Sequence, residues 1–349
     1  MKKLMLLFLV VVLALALAAC GNPAPADDGG EGEGEAAPAG ETYTIKIGTT
    51  GSEEHQSTIA ARLFEEKVEE LTNGGVQVDV YPNSELGGER ELGESVKLGT
   101  LEMAVITPDG PLSSWVPEGQ VLAIPYLFAN KQEAYTVLDE TLQPYFEPLY
   151  EAEGFRILAF CELGFRHFTN NKREVTCADD MKGLTIRVQE APIWFKLVES
   201  LGAVATPVAF NELYTALQQG LVDGEENPIP TISSMRFNEV QKYLCMDGHT
   251  YTAETLLIGN DFYNSLPAEY QAALDEAAVY ARDEQRKVVD SNEQKQLEDL
   301  KAAGMIVCEN PDIASFQAAT ENMPNDPAVQ ELVDPSLVQM VRDAVDALR

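Results

Sequence analysis

Tyr43-Thr44-Ile45-Lys46-Ile47 alternates apolar and polar side chains, the period of a strand with one buried face. A helix follows it. Ile59, Leu63, Phe64, Val68 and Leu71 share one helical face, and Asn73-Gly74-Gly75 supplies the stop. Val76, Val78 and Val80 then resume the strand period. Strand, helix and strand form a β-α-β unit, which implies a mostly parallel sheet flanked by helices. A helix over 88–98 and a strand over 101–107 extend the unit. Ile124-Pro125-Tyr126-Leu127-Phe128 is apolar but carries a proline, so it reads as an irregular, packed turn. A second α/β set begins at Phe155-Arg156-Ile157-Leu158-Ala159-Phe160, with strands over 184–189 and 203–207 and helices over 191–201 and 210–219. Pro267 to Gly304 is amphipathic without an internal Gly or Pro. That exceeds an ordinary globular helix, so one long or kinked helix running across two domains is expected.

The N-terminus reads as an export signal. Lys2 and Lys3 precede an apolar run from Leu4 to Ala19, and Leu17-Ala18-Ala19-Cys20 closes it with small residues before a cysteine. The run is short for a membrane span. Residues 21–41 hold six Gly, three Pro, five Ala and six acidic residues, the composition of a flexible tether. The remaining 42–349 is long enough for two domains. Net charge is −33, with 57 acidic against 24 basic residues, which argues against nucleic acid and against anionic lipid as partners. An acidic protein that binds an anion needs an enclosed, locally positive site.

Arg187 ends the apolar strand Gly183-Leu184-Thr185-Ile186-Arg187-Val188, and Arg166 lies in Gly164-Phe165-Arg166-His167-Phe168-Thr169-Asn170. A guanidinium in such a strand must find a partner, and its planar fork suits a carboxylate. A structural ion pair with Glu190 or another acid is the competing reading. Asp223-Gly224-Glu225-Glu226 lacks calcium-loop spacing and reads as a structural turn, so no metal site is expected. Trp194 reads as core or cleft wall. Beyond Cys20, the cysteines Cys161, Cys177, Cys245 and Cys308 have no metal-ligand spacing. Export permits disulfides, and both paired and free thiols stay open. With three histidines and no Gly-x-Ser-x-Gly elbow, phosphate loop or His-Glu-x-x-His, nothing singles out catalysis or a cofactor.

Several segments align in order with one family: Asn83-Ser84-Glu85-Leu86-Gly87-Gly88, Ile124 to Phe128, Asp180 to Val188, Leu201-Gly202-Ala203, Phe210 to Gln218, Val222 to Pro228, and Glu239 to Leu244. Over roughly 42–310 the chain resembles the extracytoplasmic solute-binding proteins (DctP-type) of tripartite ATP-independent periplasmic (TRAP) transporters. The last forty residues, with Met323-Pro324-Asn325-Asp326-Pro327, depart from the family's usual C-terminal helices. The resemblance implies an α/β periplasmic-binding-protein-like fold of two domains, a cleft between them and a long domain-spanning helix. The implied division is 1–20 lipoprotein signal, 21–41 acidic linker, 42–163 plus 253–292 first domain, and 164–252 plus 293–349 second domain. By position, the main carboxylate-clamping arginine falls on Arg187, the second on Arg166, and the contacting asparagine on Asn227. Further ligand-facing positions fall on Glu89, Thr107, Glu190 and Phe210, with His249 behind them. Lipid on Cys20 would hold a monomer at the outer face of the membrane. A permease of a small and a large subunit, driven by an ion gradient, would receive the ligand.

The expected function is capture of a small organic acid, without chemistry. A secreted hydrolase acting on an acidic carbohydrate is the alternative, and a surface adhesin a third reading. Glutamates at the cleft favour a hydroxylated or amino monocarboxylate such as a sugar acid, and a four-carbon dicarboxylate stays open.

Overall fold

In the computed structural model, which describes residues 42–349, Tyr43–Gly48 (β1) and Val76–Tyr81 (β2) pair in parallel, from Tyr43 opposite Val76 to Gly48 opposite Tyr81. Gln56–Leu71 (α1) crosses between them. Its first turn is capped by the His55 imidazole, which accepts from the Ser57 amide. Its end is turned by Asn73 and Gly74 at φ 49° and 77°, conformations that glycine and asparagine tolerate best. The signal segment, the linker and Cys20 lie outside the described residues. Among the described residues no helix is long and apolar enough to cross a membrane.

The other elements follow in chain order. Glu89–Lys97 (α2) and Met103–Ile106 (β3) complete the first set. Lys131–Val137 (α3) and Gln143–Ala152 (α4) precede the long strand Phe155–Asn170 (β4). Thr185–Val188 (β5), Pro192–Ser200 (α5), Val204–Pro207 (β6) and Leu213–Gln219 (α6) form the second set. Gly224–Pro228 (β7) and Ile229–Ser234 (α7) lead to a second long strand, Tyr243–Gly259 (β8). Asn260–Ser265 (α8), the 35-residue Ala268–Ala302 (α9) and Ile306–Cys308 (β9) follow. Ile313–Thr320 (α10), Pro327–Gln330 (α11) and Pro335–Asp346 (α12) make the last forty residues largely helical.

All strands belong to one sheet in the order β2-β1-β3-β8-β4-β7-β5-β6, with β9 on β8. The expected mostly parallel sheet is therefore corrected to a mixed one. β1, β2 and β3 are parallel, as are β5, β6 and β7, but β8 runs antiparallel to β3 and β4, and β4 antiparallel to β7. The two long strands are shared by both α/β halves, and the periodicity of the end units could not show them. Nor is Asp223–Glu226 a turn. Gly224 to Pro228 is a fully buried strand between β4 and β5. Acids in a strand contradict propensity, and here the buried carboxylates find partners instead.

Helix α9 spans the fold, as expected. Leu274, Ala277, Ala278 and Ala281 pack in the core of β1 and α1, while Leu297 and Leu300 pack with α6 and α7. Its middle is fixed by Gln285, which bonds both the amide and the carbonyl of Glu162, at 3.0 and 2.7 Å. The C-terminal segment touches both halves: α10 packs on α5 and β8, and α12 on α3. These elements give an α/β fold of the two-domain periplasmic-binding-protein type.

Candidate functional site

The adjacency of β4, β7 and β5 places Arg166, Asn227 and Arg187 on one wall. A cavity of about 290 Å³ opens there, beyond the carboxyl ends of β3, β5 and β7, where ligands of open α/β sheets bind. Its walls include Arg166, Arg187, Asn227, Glu89, Thr107, Glu190 and Phe210, so the structure brings together all seven residues to which the family resemblance assigned ligand contact. Glu89 arrives at the first turn of α2, Thr107 directly after β3, and Phe210 after β6.

The two arginines differ. Arg187 is 2 % exposed; its Nε donates to the Val208 carbonyl at 2.8 Å, and its Nη1 is buried without a partner. Burial lowers its pKa from the usual guanidinium value, against the opposing pull of Glu226. The competing reading of an Arg187–Glu190 ion pair has no geometric support. Glu190 is partly exposed and lies 3.9 Å from Arg90. The Arg187 guanidinium stands 5.9 Å from the Phe210 ring centroid, within cation–π range.

Arg166 is 1 % exposed and already paired. Its Nε and Nη2 donate to the Glu226 carboxylate, and Nη2 also donates to the Asn227 side-chain oxygen at 3.0 Å. The Trp194 ring lies 5.1 Å from the guanidinium, and Trp194 itself is fully buried core, donating to the Asp109 carbonyl. Burial alone would raise the Glu226 carboxyl, but Arg166 and His249 outweigh it and hold it below the usual range. Asn227 is fixed at both ends of its amide, since Nδ2 donates to Glu225 at 2.6 Å.

His249 does not line the cavity. It stacks on Phe168 at 4.2 Å, bonds Asp247 at 2.8 Å and approaches Glu226 at 3.4 Å. It thus supports the acid that holds Arg166. Burial pulls its pKa down, yet Asp247 and Glu226 outweigh this and raise it to about 9; His167 is the other titratable group beside it, itself lowered to about 4 by burial. A folded pKa above the unfolded 6.5 means stability that is present below pH 6.5 and lost as pH rises through 9. Wild-type protein is expected to lose on the order of 3 kcal/mol across that window, at ~1.4 kcal/mol per pKa unit. His249→Gln should show a flatter curve in denaturant unfolding at pH 6.5, 8 and 9.5. Equal slopes for the two proteins would disprove the assignment.

Sequence reading missed several cavity residues, Gln189, Glu254 and His55 among them. Gln189 accepts from Thr107 at 3.0 Å through Oε1, while its Nε2 is buried without a partner. It lies two residues beyond Arg187 on an extended chain, so strand period places both on one side. Glu254, inside β8, has a buried Oε2 without a partner. Burial first, then the charge of Glu89, raises its carboxyl well above the usual range. An acid within the apolar run Leu256-Leu257-Ile258 and its neighbours was the available signal. His55, pushed down to about 3 by burial, is neutral in the wall. Glu89, whose carboxyl burial raises, lies 2.8 Å from the same Thr107 hydroxyl. The cavity thus offers one unpaired guanidinium together with several hydroxyl-matching donors and acceptors.

The chain is similar to known proteins over most of its length. Residues 47–328 match the family model of the bacterial extracellular solute-binding proteins, family 7 (DctP). A solute-binding protein of Verminephrobacter eiseniae is 40% identical over 283 residues, 81% of this chain and 84% of that protein. The C4-dicarboxylate-binding periplasmic protein DctP of Rhodobacter capsulatus is 34% identical over 246 residues, 70% of this chain and 73% of that protein. The crystal structure of a TRAP periplasmic solute-binding protein from Polaromonas, bound to D-erythronate, superposes with a TM-score of 0.82 at 36% identity, covering 86% of this chain and 98% of that one. Proteins of this family bind solutes for transport and are not enzymes, so the hydrolase alternative falls. The chain belongs to the family 7 bacterial extracellular solute-binding proteins, the DctP-type extracytoplasmic binding proteins of TRAP transporters.

Proposed function

We propose that this protein captures a hydroxylated monocarboxylate outside the cell membrane, clamps it through Arg187 and delivers it to a TRAP permease. The observation that carries this reading is the buried Arg187 guanidinium, whose Nη1 has no partner among the described residues. A carboxylate would complete it bidentately, which a fork of donors does better than a point charge. Arg166, already paired with Glu226, adds a weaker second contact, and Asn227 a third. Phe210 forms the apolar wall. Glu89, Thr107, Gln189 and Glu254 meet hydroxyls, and Glu190 at the rim disfavours a second carboxylate. The relative that binds D-erythronate, a hydroxylated monocarboxylate, supports this class; the C4-dicarboxylate relative represents the competing one.

Binding and motion are coupled in this reading. The two lobes, 42–163 with 253–292 and 164–252 with 293–349, come together on the ligand. Leaving Arg187 buried and unpaired costs free energy, so a carboxylate shifts the population toward the closed arrangement. The carrier is a monomer held by lipid on Cys20, and its permease has a small and a large subunit.

A thermal-shift screen tests the ligand class with sugar acids, short hydroxy acids, dicarboxylates, keto acids and amino acids. At 100 times its dissociation constant a ligand adds about 2.7 kcal/mol, which raises the midpoint by roughly 5–10 °C. Hydroxy monocarboxylates are expected to give this shift, and succinate little. A dicarboxylate shift exceeding every hydroxy acid would overturn the class.

A further inference from the structure

Four thiols among the described residues are unbonded: Cys161, Cys177, Cys245 and Cys308. Cys161 lies apart, in the core of β1 and α1. The other three converge on the second lobe. β9 runs parallel to β8, and Cys308 stands directly opposite Cys245. The preceding pair, Leu244 and Val307, faces the core built by α6 and α7, whereas Cys245 faces the opposite core. Side chains alternate along a strand, so Cys308 is directed to the same side as Cys245. Neighbouring strands lie ~4.8 Å apart, inside the ~4.4–6.8 Å Cα separation that a disulfide spans. Cys177 approaches on a separate segment. The Thr176 carbonyl accepts from the Asp312 amide at 2.7 Å, and Ala178 donates to the Ser315 hydroxyl at 2.9 Å. Its own thiol is turned to Asp180 at 3.5 Å.

We propose that Cys245 and Cys308 are a cross-strand disulfide site, closed outside the cytoplasm, with Cys161 and Cys177 remaining thiols. The compartment follows from the extracytoplasmic family, where disulfides persist. The oxidant is a small-molecule or protein disulfide. Cys308, the less buried thiol, loses its proton and attacks one sulfur of that disulfide, forming a mixed disulfide and releasing the first thiolate. Cys245 then loses its proton and attacks the Cys308 sulfur, displacing the second thiolate. Two electrons and two protons leave the protein thiols, and one disulfide is reduced to two thiols. Burial holds both thiols above their usual pKa, so the reaction is slow near neutrality and faster at alkaline pH. The bond would close a loop containing all of α9 and pin its C-terminal end to β8.

The full chain is incubated with excess oxidised glutathione, then blocked with N-ethylmaleimide in denaturant, digested and mapped by mass spectrometry. The expected product is a peptide pair joined through Cys245 and Cys308, with Cys161 and Cys177 blocked. Complete blocking of Cys245 and Cys308, or a bond that includes Cys177, overturns the proposal. A second readout is the unfolding midpoint. Oxidised wild type should lie roughly 5–10 °C above the same protein with reductant, and Cys308→Ser should show no such difference. A wild-type midpoint that ignores reductant also overturns it.

Discussion

Arg187→Ala is expected to weaken carboxylate binding roughly 10²–10⁴-fold while the chain stays folded. Two charge-assisted hydrogen bonds at about 1.5–3 kcal/mol each account for that range, at ~1.4 kcal/mol per tenfold. Stability should not fall, because the mutation removes a buried charge that has no carboxylate partner among the described residues. The midpoint of the ligand-free variant is therefore expected at or above that of wild type. Arg187→Lys should recover less than a tenth of the lost affinity, since an ammonium cannot reproduce the planar fork. Calorimetric titration with the best ligand of the thermal-shift screen measures both variants. Near wild-type affinity in Arg187→Lys would refute the bidentate clamp, and unfolding of Arg187→Ala would assign the arginine to structure.

Glu226→Gln should act in the opposite way, through the fold first. It strips Arg166 of its bidentate partner and His249 of a neighbouring charge, both at buried sites. Removing one member of a buried pair leaves the other uncompensated, at a cost of about 3–5 kcal/mol. Denaturant unfolding should show that loss with little change in slope. Arg166→Met placed on top of Glu226→Gln should recover a substantial part of it, because no unpaired guanidinium remains. A single Glu226→Gln within about 0.5 kcal/mol of wild type, the range of an ordinary surface substitution, would show that the pair contributes no net stability.

The contrast between the arginines marks where sequence reading stops. Each was visible as a cation in an apolar strand, and both line one cavity. Which one keeps a free valence depends on register. Arg166 pairs across from Pro228 on β7, beside Glu226, and no local period encodes that neighbour. The end units were legible because β1, α1 and β2 each repeat a clean period over several residues. β7 was not legible, because Gly-Glu-Glu-Asn-Pro has the composition of a turn and becomes a strand only through partners on β4. An acidic chain with two buried arginines does imply buried carboxylates, and that reasoning could have found Glu226. Gln189 was within reach by alternation from Arg187, and Glu254 by its place in an apolar run.

The link between the lobes is itself a sheet. β4 and β8 run side by side through both halves, and their register slips between Ile157 and Ala159, between Glu162 and Gly164, and between Arg166 and Phe168. Gln285 grips Glu162 beside the middle slip, halfway along α9, so about 25 Å of helix extends on either side at ~1.5 Å per residue. Mechanically this is a beam clamped at a fulcrum over a leaf spring. In the closure proposed above, rotation of one lobe bends the paired strands at their slips and levers both ends of the beam. Amide exchange within β4 and β8 should then be fastest at the three slips.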